Sequence, residues 1–394
     1  MEQNETFSRP ARRRSPAVRN RQMHGILLSR LLVSCVALFV ILGLVMPDKE
    51  FSQSENRKLA QAPKFSLSAL ADGSYWADLG SYVADQFPFR DRWISINLWM
   101  NQMMGQKEAS GVYLCQDNYL MQVPSSPDEA NLSRNLEAIN TFHQAHPDLT
   151  AAMAVVPNAV TVHADKLPAN APVRDQRADL KGIADRLTGV TFLDVTDALT
   201  AHSSEYLFYR TDHHWTSLGA YYAFADIADD LGITAPALTD YTVYPVSTTF
   251  EGTLSSKSGS HSVTDQVDIY VPNTEIDYYV TYVDTQTSIS SFYNRAALDQ
   301  KDHYTVFFGG NYSRVDITTT ADTGRNLLLF KDSYANCMVP FLFPYYDHII
   351  MVDPRYYYDN LENLVNTQSI TDVLYLYNAD TFLSDSSLAD VLGG

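Results

Sequence analysis

The sequence predicts an α/β fold, in which helices cover both faces of a parallel sheet, preceded by one N-terminal transmembrane helix. From about residue 130 to the C-terminus, short apolar runs alternate with helix-like segments, an alternation typical of parallel sheets. Residues 235–315 interrupt this alternation with a stretch rich in Thr, Ser, Tyr, Val and Asp that has β periodicity. We interpret that stretch as a β-rich insertion.

The first 46 residues predict a membrane anchor at 26–46. This run is almost wholly apolar and is broken by two serines and Arg30, which can snorkel to the interface. A cleaved signal peptide is the alternative, but Gly43-Leu-Val-Met-Pro47 is a poor small-x-small cleavage site. Seven arginines against two acids give the first 46 residues a charge of +5, which predicts that the basic leader 1–25 is cytoplasmic and that the C-terminal domain is extracellular.

Charge and cysteine content narrow the class of protein. The net charge of the chain is −18, so the residues after the first 46 carry −23. A domain this acidic repels phosphate backbones, which argues against a nucleic-acid partner. Cys35 lies in the apolar run, and Cys115 and Cys337 lack metal-ligand spacing. We expect the last two to be free thiols, with one external disulfide as the alternative.

The elements follow in order along the chain. Residues 47–70 are polar and predict a juxtamembrane linker, and residues 71–394 predict the extracytoplasmic domain, with a hairpin turning at Asp117-Asn118. The predicted helices are Tyr75–Val83, Trp93–Met104, Asn131–His146, Arg177–Leu187, a helix capped by Thr216 or Ser217 and running to Leu231, Tyr334–Phe343 and Leu361–Thr367. The predicted strands of the sheet are Ala151–Val156, Thr191–Val195, Asn326–Phe330, His348–Val352 and Asp372–Tyr377.

The densest polar cluster is Tyr209-Arg-Thr-Asp-His-His-Trp-Thr216, immediately before a predicted helix. In extended backbone, residues i and i+2 point the same way, so Asp212 and His214 are expected to share a side, with His213 opposite. A carboxylate placed there orients the imidazole and fixes its tautomer. Two alternatives remain, a purely structural cluster and a metal site, although a further ligand at supporting spacing is missing from the sequence.

Ser333 is the candidate nucleophile. It stands between a buried strand and a predicted helix, and the C-terminal edge of a parallel sheet is where such folds place their sites. The amides of the first helical turn are free to donate to an oxyanion. Serine needs a base that takes its proton, and His214 is the candidate. The alternative is that Ser333 or Asp332 is merely the helix N-cap.

The segment Thr211-Asp-His-His-Trp-Thr216 resembles the signature of the bacterial DHHW protein family. That family is similar to the periplasmic O-acetyltransferases of alginate biosynthesis and, through them, to SGNH hydrolases. The resemblance therefore implies an SGNH-hydrolase-like fold for nearly all of the chain beyond the membrane segment. Further stretches that resemble the family, in the same order, are Ser54–Leu59, Phe87–Asp91, Phe250–Leu254, Ser256–Gly259, Gly309–Asn311, Lys331–Asn336 and Val352–Tyr356.

The resemblance implies roles for particular residues. The acetyltransferase pattern is Asp-x-His followed later by a Ser in a Ser-Tyr or Ser-Phe context, and Asp212, His214 and Ser333 match it. The match is looser for oxyanion donors at Gly310 and Asn311 and for substrate contacts from Tyr334 and Arg355, for which a core ring and a surface ion pair are the alternatives. Lys331 departs from the Gly that SGNH enzymes often have before Asp-Ser.

The implied function is extracytoplasmic O-acetyl transfer to a polysaccharide through an acyl-serine, without a cofactor or metal. Because acetyl-CoA is cytoplasmic, the resemblance also implies a multi-pass membrane-bound O-acyltransferase as acyl donor. Two alternatives stay open: a carbohydrate esterase with the same triad, and a non-catalytic glycan-binding or scaffold protein of an acylation complex.

Overall fold

The computed structural model of the chain describes residues 16–52, 54–55 and 57–393, with side chains from residue 23 onward. The first fifteen residues of the predicted basic leader lie outside the described residues. Two compact units are present. The first contains the described residues up to Ser52 together with Arg57–Ile94, and the second contains residues 54–55 and Ser95 onward.

The first unit is mostly helical. Its elements are α1 (Pro16–Val45), β1 (Phe51–Ser52), β2 (Arg57–Lys58), α2 (Leu67–Asp72), α3 (Ser74–Asp85) and the start of α4 (Arg90–Met103). Within α1, the segment Met23–Val45 is long and apolar enough to span a membrane, close to the predicted anchor. Asp85 accepts two hydrogen bonds from Arg57, at 2.9 and 2.6 Å, and so joins β2 to the end of α3.

The second unit contains the remaining elements. Before the region of the site they are β3 (Glu108–Ala109), β4 (Val112–Leu114), β5 (Leu120–Gln122), α5 (Glu129–Ala145), β6 (Thr150–Val156), α6 (Ala159–Val162), α7 (Gln176–Ala184), β7 (Thr191–Leu193) and α8 (Thr196–Ala201). They continue with α9 (Ser217–Ile227), β8 (Tyr241–Phe250), α10 (Thr253–Ser258), β9 (Asp265–Pro272), β10 (Tyr278–Tyr282), β11 (Thr287–Ile289), β12 (Arg314–Thr319) and β13 (Asn326–Lys331). The last are α11 (Ala335–Leu342), β14 (His348–Val352), α12 (Leu361–Thr367), β15 (Asp372–Asn378), α13 (Ala379–Ser384) and α14 (Leu388–Gly393).

An eight-stranded sheet organises this unit, with the strand order β11-β10-β12-β14-β13-β15-β6-β7. The five strands from β14 to β7 are parallel, whereas β12, β10 and β11 pair antiparallel along one edge. Helices cover both faces of the sheet. Since alternate residues of a strand point to opposite faces, each strand contributes side chains to two separate hydrophobic cores. Leu327 and Leu329 pack with α9 and α11, and Leu328 and Phe330 pack with α5 and α12. The predicted α/β class is confirmed, with a mixed rather than wholly parallel sheet.

The predicted β-rich insertion at residues 235–315 contributes to two sheets. β8 and β9 pair with each other as a two-stranded antiparallel sheet, with register shifts near Ser247. β10 and β11 instead extend the edge of the central sheet next to β12. The first pair ends beside the segment that carries Asp212, and that proximity matters for the site.

Candidate active site

Ser333 lies in a three-residue turn between β13 and α11. β13 is flanked by parallel strands on both sides, so the turn is at the C-terminal edge of the sheet, as predicted. The buried Asp332 carboxylate fixes the turn, because it accepts hydrogen bonds from the backbone N–H of Tyr334 at 2.8 Å and of Asn378 at 2.9 Å. Ser333 itself is half-buried, whereas Asp332 and Tyr334 on either side of it are buried.

The structure brings Ser333, His214 and Asp212 into one chain of hydrogen bonds. His214 Nε2 is 2.7 Å from Ser333 Oγ, and His214 Nδ1 is 2.5 Å from Asp212 Oδ1. An ionised carboxylate can only accept hydrogen bonds, so the contact with Asp212 places the proton of a neutral imidazole on Nδ1. Nε2 is then free to accept the proton of the Ser333 hydroxyl.

The segment that carries Asp212 and His214 is not extended. Residues 210–214 form bends, so the strand alternation expected there does not apply, and His213 is not on the opposite side. Its Nδ1 lies 3.5 Å from Asp212 Oδ1 and 2.8 Å from Thr253 Oγ1. Burial, and next the neighbouring His214, lower the pKa of His213 to about 4, so this ring is neutral at neutral pH.

Asp212, His213 and His214 also satisfy the geometric requirement for a metal site, since one ligand atom from each lies within 4.8 Å of the others. Three protein ligands are the minimum of a catalytic zinc site. A cation bound there would compete with the 2.5 Å hydrogen bond between Asp212 and His214.

The Asp212 carboxylate is held by the segment that follows β8. Its Oδ2 accepts hydrogen bonds from the backbone N–H of Thr253 at 2.7 Å and from Thr253 Oγ1 at 2.9 Å. The preceding Gly252 leaves room for this approach, since an added Cβ would stand 2.2 Å from the Cβ of Asp212. Burial raises the pKa of Asp212, but His213, His214 and the Thr253 donor together lower it by more than burial raises it, so the net shift is downward. Asp212 is therefore ionised.

A second buried carboxylate, Asp265 at the start of β9, holds the residues before Asp212. It accepts hydrogen bonds from the backbone N–H of Arg210 at 2.9 Å and of Thr211 at 2.7 Å, and from Thr211 Oγ1 at 2.5 Å. The Thr211 hydroxyl in turn accepts a hydrogen bond from the backbone N–H of Gly252 at 2.9 Å. The bent segment thus depends on contacts from both β8 and β9.

Three aromatic residues connect the Asp-His segment to the Ser333 turn. The buried Trp215 donates from Nε1 to the Tyr334 carbonyl at 3.0 Å. The Tyr304 ring stacks on His214, with centroids 3.8 Å apart, and its hydroxyl donates to the Ser333 carbonyl at 2.8 Å. The Tyr334 hydroxyl donates to the His213 carbonyl. Tyr334 is buried, and its hydroxyl is already hydrogen-bonded to the His213 carbonyl. It is therefore a core ring that supports the site, which was the alternative to a substrate contact.

Lys331, the departure from the SGNH pattern, is buried behind the turn. Its Nζ donates to Asn336 Oδ1 at 2.9 Å and to Asn311 Oδ1 at 3.0 Å. Burial lowers the pKa of Lys331 to about 8. An ammonium group is only a donor, so it fixes the amide orientation of Asn311, with the oxygen toward Lys331 and the nitrogen away from it.

Three N–H donors, one in the turn and two in residues 310–311, are unused. The backbone N–H groups of Ser333 and Gly310 and the side-chain Nδ2 of Asn311 donate to no acceptor among the residues that the structure describes. Asn311 lies beside the first turn of α11, because Asn336 Nδ2 donates to its Oδ1 at 3.2 Å. These groups are the available candidates for an oxyanion site.

Arg355 forms a two-point ion pair with the fully buried Asp353, at 2.8 Å from Nε and 2.6 Å from Nη2. Hydrogen bonding to Asp353 raises the pKa of Arg355. The alternative of an ion pair is therefore observed, while Nη1 of the same guanidinium donates to no acceptor in the described part of the chain.

The two cysteines beyond the apolar segment Met23–Val45 are free thiols, as expected. Cys115 is half-buried and Cys337 is buried. Burial raises the pKa of each thiol to about 12, so neither is a reactive thiolate at neutral pH.

Four supporting residues were missed by the sequence analysis: Gly252, Thr253, Asp265 and Tyr304. The first two belong to the stretch Phe250–Leu254, whose resemblance to the family was the one available signal. Asp265 and Tyr304 stand in the β-rich region without a motif around them.

Comparisons with known proteins identify the family of this chain and structures of similar fold. A sequence model of the DHHW protein family matches residues 139–352, more than half of the chain. A crystal structure of a DHHW family protein from Eubacterium siraeum has 26% identity and a TM-score of 0.63, covering 73% of this chain and 96% of its own. No curated protein matches the chain.

Two more distant structures cover most of this chain. Bacillus cereus PatB1, solved with a sulfonyl adduct, has 19% identity and a TM-score of 0.58, covering 70% of this chain and 98% of its own. The O-acetyltransferase domain of Pseudomonas putida AlgJ has 15% identity and a TM-score of 0.45, covering 72% and 99%. The first shows a shared fold, and the second is too loose to support an argument.

Proposed function

This chain belongs to the DHHW protein family, and we propose that it is an extracytoplasmic acyltransferase that passes an acetyl group through Ser333 to a hydroxyl of a polysaccharide. The observation that carries the proposal is the continuous hydrogen-bond chain from Asp212 through His214 to Ser333 Oγ. Its two links are short, and Ser333 is the partly exposed end. This is the arrangement that activates a serine hydroxyl.

In the first half-reaction, Ser333 Oγ attacks the carbonyl carbon of the acetyl donor while its proton passes to His214 Nε2. The negative charge that develops on the carbonyl oxygen is stabilised by the unused N–H groups of Ser333, Gly310 and Asn311. The bond to the donor oxygen then breaks, and His214 returns the proton to that leaving group. An acetyl ester on Ser333 remains.

In the second half-reaction, an acceptor hydroxyl attacks the ester and loses its proton to His214, and the Ser333 oxygen recovers that proton as it leaves. The ionised Asp212 stabilises the imidazolium that forms in each half. Water in place of the sugar hydroxyl would make the same site a carbohydrate esterase. Transfer therefore requires a bound acceptor that competes with water.

The proposed compartment determines the acyl donor. The apolar segment Met23–Val45 follows an arginine-rich leader, which supports a cytoplasmic N-terminus and a catalytic unit on the outer side. Acetyl-CoA is then on the wrong side of the membrane. We assign the relay to a multi-pass membrane-bound O-acyltransferase that presents the acetyl group to Ser333.

The test uses the full chain in detergent micelles with p-nitrophenyl acetate as donor. We expect release of p-nitrophenol and an acetyl adduct on the Ser333 peptide in mass spectrometry. Ser333→Ala is expected to lose about 10³-fold or more in rate and to form no adduct. The matched control is Ser288→Ala on the edge strand β11, which is expected to behave as wild type.

Two results would count against the proposal. A Ser333→Ala protein that retains the wild-type rate would place the nucleophile elsewhere. A folded wild-type protein that shows neither activity nor adduct would favour the non-catalytic scaffold role.

A further inference from the structure

A polar cleft of 540 Å³ opens beside the triad. Hydroxyl, amide and carboxylate side chains line it, from the end of β5 and from the region between Asn378 and Ser387. The guanidinium of Arg355 lines it as well. His213 lines it as well, and the His213 ring is 3.9 Å from the ring of His214. The cleft therefore reaches the neighbour of the proposed base, and no apolar side chain is among the described residues that line it.

Several polar groups in the cleft are fixed in place but not fully used. Arg355 is anchored to Asp353 through Nε and Nη2, which leaves Nη1 available. Gln122 donates from Nε2 to Asp380 Oδ2 at 2.8 Å, and its Oε1 accepts no hydrogen bond in the described chain. Preorganised donors and acceptors of this kind bind hydroxyl groups without a large loss of side-chain entropy.

Exposed aromatic rings stand on the loop that carries Arg355. Tyr356 is 48% exposed and Tyr358 is 91% exposed, whereas Tyr357 between them is buried. The Arg355 guanidinium lies 5.5 Å from the centroid of the Tyr356 ring. A tyrosine presents a flat apolar face together with a polar tip, and a solvent-exposed ring beside Arg355, which lines the cleft, is suited to the C–H face of a sugar ring.

The charge of the cleft selects against polyanions. Asp380 and Asp385 line it together with Arg355, and the charge of Arg355 is already compensated by Asp353. Burial raises the pKa of Asp380 to about 6, which still leaves the carboxylate mostly ionised at neutral pH. The chain beyond the first 46 residues carries −23, and this net charge also opposes the approach of a polyuronate.

We propose that this cleft, together with the exposed rings of Tyr356 and Tyr358 on the loop that carries Arg355, is the acceptor subsite and that it takes an uncharged glycan rather than a polyuronate. The proposal rests on the proposed function of Ser333, because it names the acceptor of the acetyl group formed there. It places the sugar hydroxyl on the His213 side of the triad, where His214 can take its proton.

Two measurements test this subsite. The first is binding to the full-length Ser333→Ala protein by calorimetry, with cellopentaose, mannopentaose, penta-N-acetylchitopentaose and pentagalacturonate as probes. We expect at least one uncharged oligosaccharide to bind and pentagalacturonate not to bind. Tyr356→Ala and Tyr358→Ala are expected to weaken binding roughly three- to tenfold each, and Tyr279→Ala, a 51% exposed tyrosine on β10, to leave it unchanged.

The second measurement is the partition of the acetyl group between water and the bound oligosaccharide in the wild-type Ser333 protein. The same two tyrosine variants are expected to raise the KM for the oligosaccharide and to lower the ratio of transfer to hydrolysis. An acetyl adduct on Ser333 without binding of any uncharged probe, or with equal binding of pentagalacturonate, overturns the subsite and leaves the proposed function in place. Binding that depends on Tyr358, with no adduct on Ser333, would support the glycan subsite and count against the proposed function.

Discussion

The position of Asp212 depends on the absence of a side chain at Gly252, and Gly252→Ala tests that dependence. An added Cβ would lie 2.2 Å from Asp212 Cβ, 2.4 Å from Oδ2 and 2.7 Å from Cα. Rotation of the Asp212 side chain cannot relieve the contact with Cα, so main chain must move. Gly252 has φ −83°, which any residue adopts, and the requirement for glycine is therefore one of space.

The size of the required shift follows from these distances. Ordinary contact begins at 3.4 Å, so the separation of the two Cβ atoms must grow from 2.2 Å by 1.2 Å. A misplacement of about 1 Å in a catalytic group costs about 10² in rate. We therefore expect Gly252→Ala to lower kcat for p-nitrophenyl acetate by about 10², and overpacking to cost about 1–3 kcal/mol of stability.

The assay pairs the rate with thermal unfolding, so that loss of fold and loss of geometry are separated. Gly182→Ala is the matched control, because no heavy atom lies within 4 Å of its added Cβ and the residue is in α7. It should keep the wild-type rate and gain roughly 0.5–1 kcal/mol. A folded Gly252→Ala protein with the wild-type rate would refute the argument that this contact positions Asp212.

Four further outcomes are expected. Asp212→Asn should lower kcat by about 10³–10⁴, since an amide does not hold the same His214 tautomer. Because the net pKa shift of Asp212 is downward from 3.8, its stabilisation is present above that pH and is lost in acid. The unfolding free energies of wild type and Asp212→Asn, measured by urea denaturation, should converge toward pH 3, and a constant difference would contradict this. Lys331→Met should lower kcat about 10²-fold by releasing Asn311, and a Lys331→Met/Asn311→Ala double variant that loses much more than either single variant would show that the two act separately. Burial lowers the pKa of Lys331 from 10.5 to about 8, so the wild type should gain stability relative to Lys331→Met as pH rises through that interval, as followed by urea denaturation at both ends.

The central sheet was predictable because its strands are buried on both faces and therefore appear as continuous apolar runs. Leu361–Thr367 and His348–Val352 have the predicted bounds, and β13 ends one residue later than predicted. The antiparallel edge was not predictable, since the pairing of β12 with β14 joins segments separated by two other elements. Local periodicity gives strands, but it does not give their neighbours.

The expected site residues were identifiable from residue types and motif order, whereas their support was not. Asp212, His214 and Ser333 belong to short motifs that the sequence displays. The orientation of His213 was mispredicted because the alternation rule holds for extended backbone, and residues 210–214 bend around Asp265 instead. Tyr304 reaches Ser333 from 29 residues away, and no local pattern reports such a contact.

The two halves of the site are positioned by different parts of the fold. Ser333 follows a strand buried between parallel neighbours, so its position is set by the core of the sheet. Asp212 is set by Gly252, Thr253 and Asp265, which all follow or begin strands of the β8–β9 pair. Without that pair the Asp-His segment would lose most of its hydrogen bonds. Trp215 and Tyr304 then join the two halves, because each donates a hydrogen bond to a backbone carbonyl of the Ser333 turn.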